Sequence, residues 1–66
     1  MRIILNGAEH AAPDGATILG LLETVKLQPG QVAVELNGRV VRRDDFSRVA
    51  LTEGDRVEVV HFVGGG

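Results

Sequence analysis

Asn-Gly occurs twice in this chain, at Asn6-Gly7 and Asn37-Gly38, each time between runs of strand-forming residues. Both central residues of a type I′ turn need φ > 0, which Asn and Gly adopt at low cost, so the dipeptide marks a tight two-residue hairpin. Met1–Leu5 therefore turns back as a weaker strand from Ala8 to about Ala12. In the same way Val32–Leu36, with its apolar residues at alternate positions, turns back as Arg39–Arg42. Between the hairpins lies a single helical pattern. Thr17 stands at the N-cap, and Ile18, Leu21, Leu22 and Val25 recur at i, i+3, i+4 and i+7. Gly20 inside that pattern costs about 1 kcal/mol relative to Ala, and close packing on the sheet is the expected compensation. Gln28-Pro29-Gly30 is expected to end the helix. Asp44 to Thr52 is irregular, with Phe46, Val49 and Leu51 predicted to tuck a loop or short helical turn onto the core. Arg56–Val63 is the last and clearest strand. Strands paired by hairpins, with one helix to cover one sheet face, make an α+β two-layer domain. Residues 1–63 form that domain, and residues 64–66 are read as a flexible glycine tail.

A 66-residue chain has a marginal core and is often stapled by disulfides or a metal. With no Cys, disulfides, zinc–thiolate and iron–sulfur sites and cysteine nucleophiles are all excluded. The two His have no metal-ligand spacing, so no metal site is expected. The net charge of −2 argues against a nucleic-acid binder. Arg39, Arg42 and Arg43 cluster and could steer an acidic partner, but a solvated face explains them better. No apolar run approaches the roughly 20 residues of a membrane span, and MRIILNG lacks the core of a signal peptide. The expectation is a cytoplasmic protein with no membrane partner.

Catalytic constellations are absent. Ser47 is the single Ser and has no GxSxG around it; no P-loop or GxGxxG is present. His61 reads as a rim residue and Asp44-Asp45 as a solvated turn. The last strand is more informative. Val57 and Val59 should face the core with Arg56 and Glu58 outward, and continuing the alternation sends Val60 and Phe62 outward too. Ile4 likewise leaves the face shared by Met1, Ile3 and Leu5. Ile4, Val60 and Phe62 are therefore predicted to form a docking surface beside the tail.

That tail is Gly64-Gly65-Gly66. Extended, three residues reach about 10 Å past Val63, and without Cβ atoms they fit a channel too narrow for side chains. They carry the α-carboxylate of Gly66, which with a pKa of about 3.3–3.7 is an anion at neutral pH and a poor electrophile. It becomes an acyl donor only when activated, for instance as a mixed anhydride with the α-phosphate of ATP. The chain has no nucleotide motif, so no bound cofactor is expected and ATP is used by a partner.

These features together resemble the ubiquitin-like β-grasp sulfur carriers, and most closely the ThiS family of thiamine biosynthesis. The likeness spans essentially the whole chain. It comprises the LNG hairpin, the helix opened by Thr17-Ile18, VAVELNGRVV, Arg43 and Phe46, Leu51 with Gly54-Asp55, and VEVVHFVGGG from Val57 to Gly66. The ending HFVGGG is the specific part. The resemblance implies a mixed sheet, with first and last strands adjacent, wrapped around one helix. It implies that Gly66 is adenylated by an E1-like enzyme, converted to a thiocarboxylate with sulfur from a donor protein, and delivered to thiazole synthase. Gly64 and Gly65 would thread into the partners, and the chain would be a co-substrate without catalysis of its own. A molybdopterin-synthase small subunit or a ubiquitin-like modifier also ends in Gly-Gly, and a β-grasp binding module without covalent chemistry stands as a reading from another class.

Overall fold

In the computed structural model, which describes residues 1–62, both Asn-Gly dipeptides are hairpin turns. Asn6 and Gly7 sit at φ 49° and 82°, Asn37 and Gly38 at 52° and 85°. The first joins β1 (Arg2–Leu5) to β2 (Ala8–Ala11), the second β3 (Val32–Leu36) to β4 (Arg39–Val41). The final strand, β5 (Arg56–His61), enters the middle of the sheet, giving the order β2-β1-β5-β3-β4. It runs parallel to β1 and antiparallel to β3, so the sheet is mixed. Helix α1 (Ile18–Thr24) covers one face.

Alternation decides which side chains meet the helix. Ile3, Val32, Val34 and Val57 face inward and, with Ile18, Leu21 and Leu22, are almost wholly removed from solvent. Among the described residues no polar or charged residue is buried. Stability therefore rests on apolar burial, at roughly 25 cal/mol per Å², and on the backbone ladders.

The irregular segment after β4 has a definite task. A 3-10 turn at Arg43–Asp45 swings Phe46 into the core, and Leu51 follows it. The same segment satisfies the open end of α1. Ile18 N–H donates to the Val49 carbonyl at 3.1 Å, and Leu19 N–H to that of Phe46 at 2.9 Å. Gly20 N–H donates to Thr17 Oγ1 at 3.1 Å. Three of the four amides that a helix N-terminus leaves without intrahelical partners are thereby paired.

Two local expectations are corrected. The helix stops at Thr24, well before Pro29, and Val25 is its C-cap and half-buried. The cause is Lys26, which adopts a left-handed φ of 61°. This lets Leu27 N–H return to the Leu22 carbonyl at 2.9 Å and brings Leu27 back onto the core, a helix ending of the Schellman kind. Pro29–Gln31 forms a separate 3-10 turn. Gly20, in turn, is not held by close packing: a Cβ there meets only Thr17 Oγ1, at 3.5 Å, an ordinary contact. Gly20→Ala is thus expected to stabilise the fold by about 0.5–1 kcal/mol, read as a higher urea midpoint with an unchanged m-value.

Candidate functional site

The strand that carries the chain toward its glycines is the central strand of the sheet. β5 is held along β3 through five register pairs, from Leu36↔Val57 to Val32↔His61. The ladder is extended by Phe62 N–H to the Gln31 carbonyl at 2.9 Å. Along β1 it is held through only two, Ile4↔Arg56 and Leu5↔Val57. Val63 to Gly66 lie outside the described residues, and with them the predicted tail of Gly64, Gly65 and Gly66. What the structure does describe is the platform that precedes them in the chain.

Both hairpin turns also grip β5 through their asparagine side chains. Val59 N–H donates to Asn6 Oδ1 at 2.8 Å, and Arg56 N–H to Asn37 Oδ1 at 2.9 Å. Asn37 Nδ2 donates in turn to Asp55 Oδ1 at 3.1 Å, and Thr52 N–H to Asp55 Oδ2 at 2.8 Å. The sequence reading assigned these asparagines to turns alone. The only signal for their second role is that Asn, rather than Gly, fills the first central position of both turns. At Asp55, desolvation by burial opposes ionisation. The hydrogen bonds from the Thr52 backbone, Asn37 and the Thr52 side chain outweigh it, and the carboxyl lies below its ordinary value. A depressed folded-state pKa contributes stability that is complete above the unfolded value, about 3.9, and is lost as pH falls through the lower folded value. The parent's urea midpoint is therefore expected to drop more steeply below about pH 4 than that of Asp55→Asn. Because these bonds are solvent-exposed, the difference should be small.

The outer sheet face places the predicted docking residues unequally. Val60 is 60% exposed and Phe62 49%; Val60 sits opposite Ala33, and Phe62 follows one alternation further, bonded through its N–H to the Gln31 carbonyl. Ile4 is half-buried and outside the core cluster, on the outer face as expected. The structure does not bring it to the other two, because the parallel register sets Ile4 opposite Arg56, at the start of β5. From Arg56 to Phe62 the strand advances about 20 Å. Val40, 75% exposed, is a further apolar residue of this face that the sequence reading did not single out. A three-residue strand such as β4 has too short a pattern to fix its facing. Glu35, opposite both Val40 and Glu58, separates Val40 from the Val60–Phe62 end.

Among the described residues no catalytic constellation is assembled. Ser47 hydrogen-bonds neither His10 nor His61, and no group of three His, Cys, Asp or Glu residues is placed to hold a metal ion. A hollow of about 430 Å³ between α1 and the segment leading to it is lined by His10, Ala12, Asp14, Gly20, Leu21 and Thr24, among others. His10 Nε2 is buried there without a hydrogen-bond partner among the described residues. No helix among the described residues is long and apolar enough to cross a membrane.

Comparison with known proteins gives this platform a context. The model of the ThiS family matches residues 2–66. The chain is 40% identical over 53 residues to the sulfur carrier protein ThiS of Bacillus subtilis, covering 80% of each chain. It is 50% identical over its whole length to a thiazole synthase of Magnetococcus marinus, of which it spans only 20%. The crystal structure of the thiamine biosynthesis protein ThiS of Geobacter metallireducens superposes with a TM-score of 0.86 at 35% identity, over the full length of both chains. Shared along the whole length, from the first hairpin through the central last strand to the glycine ending, this likeness makes the chain a member of the ThiS family, with its ubiquitin-like β-grasp fold.

Proposed function

We propose that this chain is a sulfur carrier of thiamine biosynthesis, with the Gly66 carboxylate as the carrying group. The observation that carries the reading is the match to the Bacillus sulfur carrier over four-fifths of each protein, on a fold whose central strand leads to the glycines. In the first step a carboxylate oxygen attacks the α-phosphate of ATP on an E1-like adenylating enzyme. Pyrophosphate leaves, and the carboxylate becomes an acyl adenylate. A hydrosulfide ion released by a donor protein then attacks the carbonyl carbon, the bond to the phosphate oxygen breaks, AMP leaves with the electron pair, and loss of the S–H proton to solvent gives the thiocarboxylate. Thiazole synthase is the acceptor. The Magnetococcus relative supports that pairing, since a protein of that name contains a segment similar to this entire chain. The chain acts as co-substrate, and the fold presents its end to enzymes that do the chemistry. Gly64 and Gly65 thread the partner channels, and Val60 and Phe62 give the nearest apolar surface for docking. An ATP-dependent activation suits a cytoplasmic carrier.

Intact-mass spectrometry tests the reading on chain ending at Gly66, incubated with ATP, a sulfide source and the E1-like enzyme of the same organism. Replacement of one oxygen by one sulfur, located at Gly66 by fragmentation, is the expected result. An unchanged mass under conditions where that enzyme activates another carrier overturns it.

A further inference from the structure

We propose that Asn6 is a positioning residue for sulfur transfer: its side chain fixes the second half of β5, and with it the line along which the glycine end is offered to partners. The proposal rests on the sulfur-carrier reading. Its structural basis is the mismatch in length between β1 and β5. β1 accompanies β5 only as far as Leu5↔Val57 and then turns away at Asn6-Gly7. In an extended strand the backbone groups of successive residues point to opposite sides. Those of Glu58, Val60 and Phe62 point toward β3, consistent with Phe62 N–H bonding the Gln31 carbonyl. Those of Val57, Val59 and His61 point toward β1.

On the β1 side, Asn6 N–H donates to the Val57 carbonyl at 2.9 Å. The next group along is Val59 N–H, and β1 has no further backbone to meet it. Asn6 Oδ1 takes its place, at 2.8 Å. One residue thus extends the ladder by a step, using its backbone for one bond and its side chain for the next. Beyond it, among the described residues, β5 is bonded only to the β3 side. Val59 is therefore the last of the described residues at which the strand is held from both sides. Phe62 lies about 10 Å further along. A tilt of about 15° at Val59 displaces it by about 2.6 Å, enough to spoil a packed contact and misdirect the root of the tail.

The other turn supplies an internal control. Asn37 makes the equivalent bond to Arg56 N–H, at the opposite end of β5, and a further one to Asp55. Loss of its carboxamide should cost at least as much stability but leave the far half of β5 in place. Asp tolerates positive φ and keeps the acceptor oxygen, whereas Gly keeps the turn and removes it.

The test compares Asn6→Gly, Asn6→Asp and Asn37→Gly in the full chain. Amide hydrogen exchange by NMR is expected to show Val59 protection falling at least tenfold in Asn6→Gly, beyond the change in global stability, and recovering in Asn6→Asp. Adenylation kinetics with the E1-like enzyme are expected to show KM for the carrier rising at least fivefold in Asn6→Gly with kcat within twofold. A smaller population of correctly presented chain raises the apparent constant without altering the reaction once bound. Asn6→Asp should restore KM, and Asn37→Gly should leave it within twofold despite an equal or larger drop in Tm. Unchanged Val59 protection in Asn6→Gly overturns the clip. A KM that does not rise in Asn6→Gly, or rises equally in Asn37→Gly, overturns the positioning role. The exchange measurement needs no partner, so failure of the clip and failure of the sulfur-carrier reading are told apart.

Discussion

Deletion of Gly66, or its extension by an uncleavable tag, is expected to abolish thiocarboxylate formation while leaving the thermal melt of the domain unchanged. The two effects separate because they depend on different parts of the chain. Among the described residues, the ten that are buried in the core all lie between Ile3 and Val57, so a change at residue 66 removes none of them. Activation as proposed, in contrast, requires the Gly66 carboxylate at the end of a thread free of side chains. A tag moves that group beyond reach, and deletion shortens the thread by about 3.3 Å. Mass spectrometry after incubation with ATP, sulfide and the adenylating enzyme gives the first readout, and a melt followed by circular dichroism the second. Normal sulfur loading of a tagged chain would refute the assignment of Gly66.

The second large effect contrasts two apolar residues. Leu22→Ala is expected to destabilise the domain by about 2–5 kcal/mol, a large part of the total stability of so small a fold. Leu22 has 0% exposure at the centre of the helix–sheet contact, and truncation leaves a cavity that the surrounding strands cannot fill. Phe62→Ala removes a larger side chain, yet it should cost well under half as much, because Phe62 is half in water already. Its effect should appear on binding. If Phe62 anchors a partner interface, truncation weakens association by about 2 kcal/mol or more, roughly thirtyfold in Kd. Urea denaturation and calorimetric titration with the adenylating enzyme distinguish the two. A collapse of stability in Phe62→Ala with unchanged affinity would make it a structural residue and remove it from the docking surface.

The expected facing of β5 held, with Val57 in the core and Val60 outward, because six alternating residues give a period long enough to read. The pairing of that strand was another matter. Residue order allows it to join the sheet at an edge or in the middle, and the mixed sheet came from the resemblance rather than from periodicity. The early end of α1 was hidden as well: Lys26 is an ordinary helix former, and its left-handed turn is worthwhile only because it returns Leu27 to the core.

The predicted docking residues show the same division. That Ile4, Val60 and Phe62 are outward-facing followed from alternation within each strand. That Ile4 stands apart from the other two depends on the register between strands, which no single segment encodes. The sequence by itself determined what is local: both hairpin turns, through the φ > 0 tolerance of Asn-Gly; the helix start at Thr17; the core faces of β1, β3 and β5; and the glycine ending on which the proposed chemistry rests. Only the tertiary structure decided that β5 is central and outruns β1, that Phe46 and Val49 satisfy the start of α1, and that Asn6 closes the ladder at Val59. The reason is physical. Turn, cap and alternation preferences act between residues a few positions apart. A hydrogen bond between residues 53 positions apart forms only after the hydrophobic core has brought their strands together.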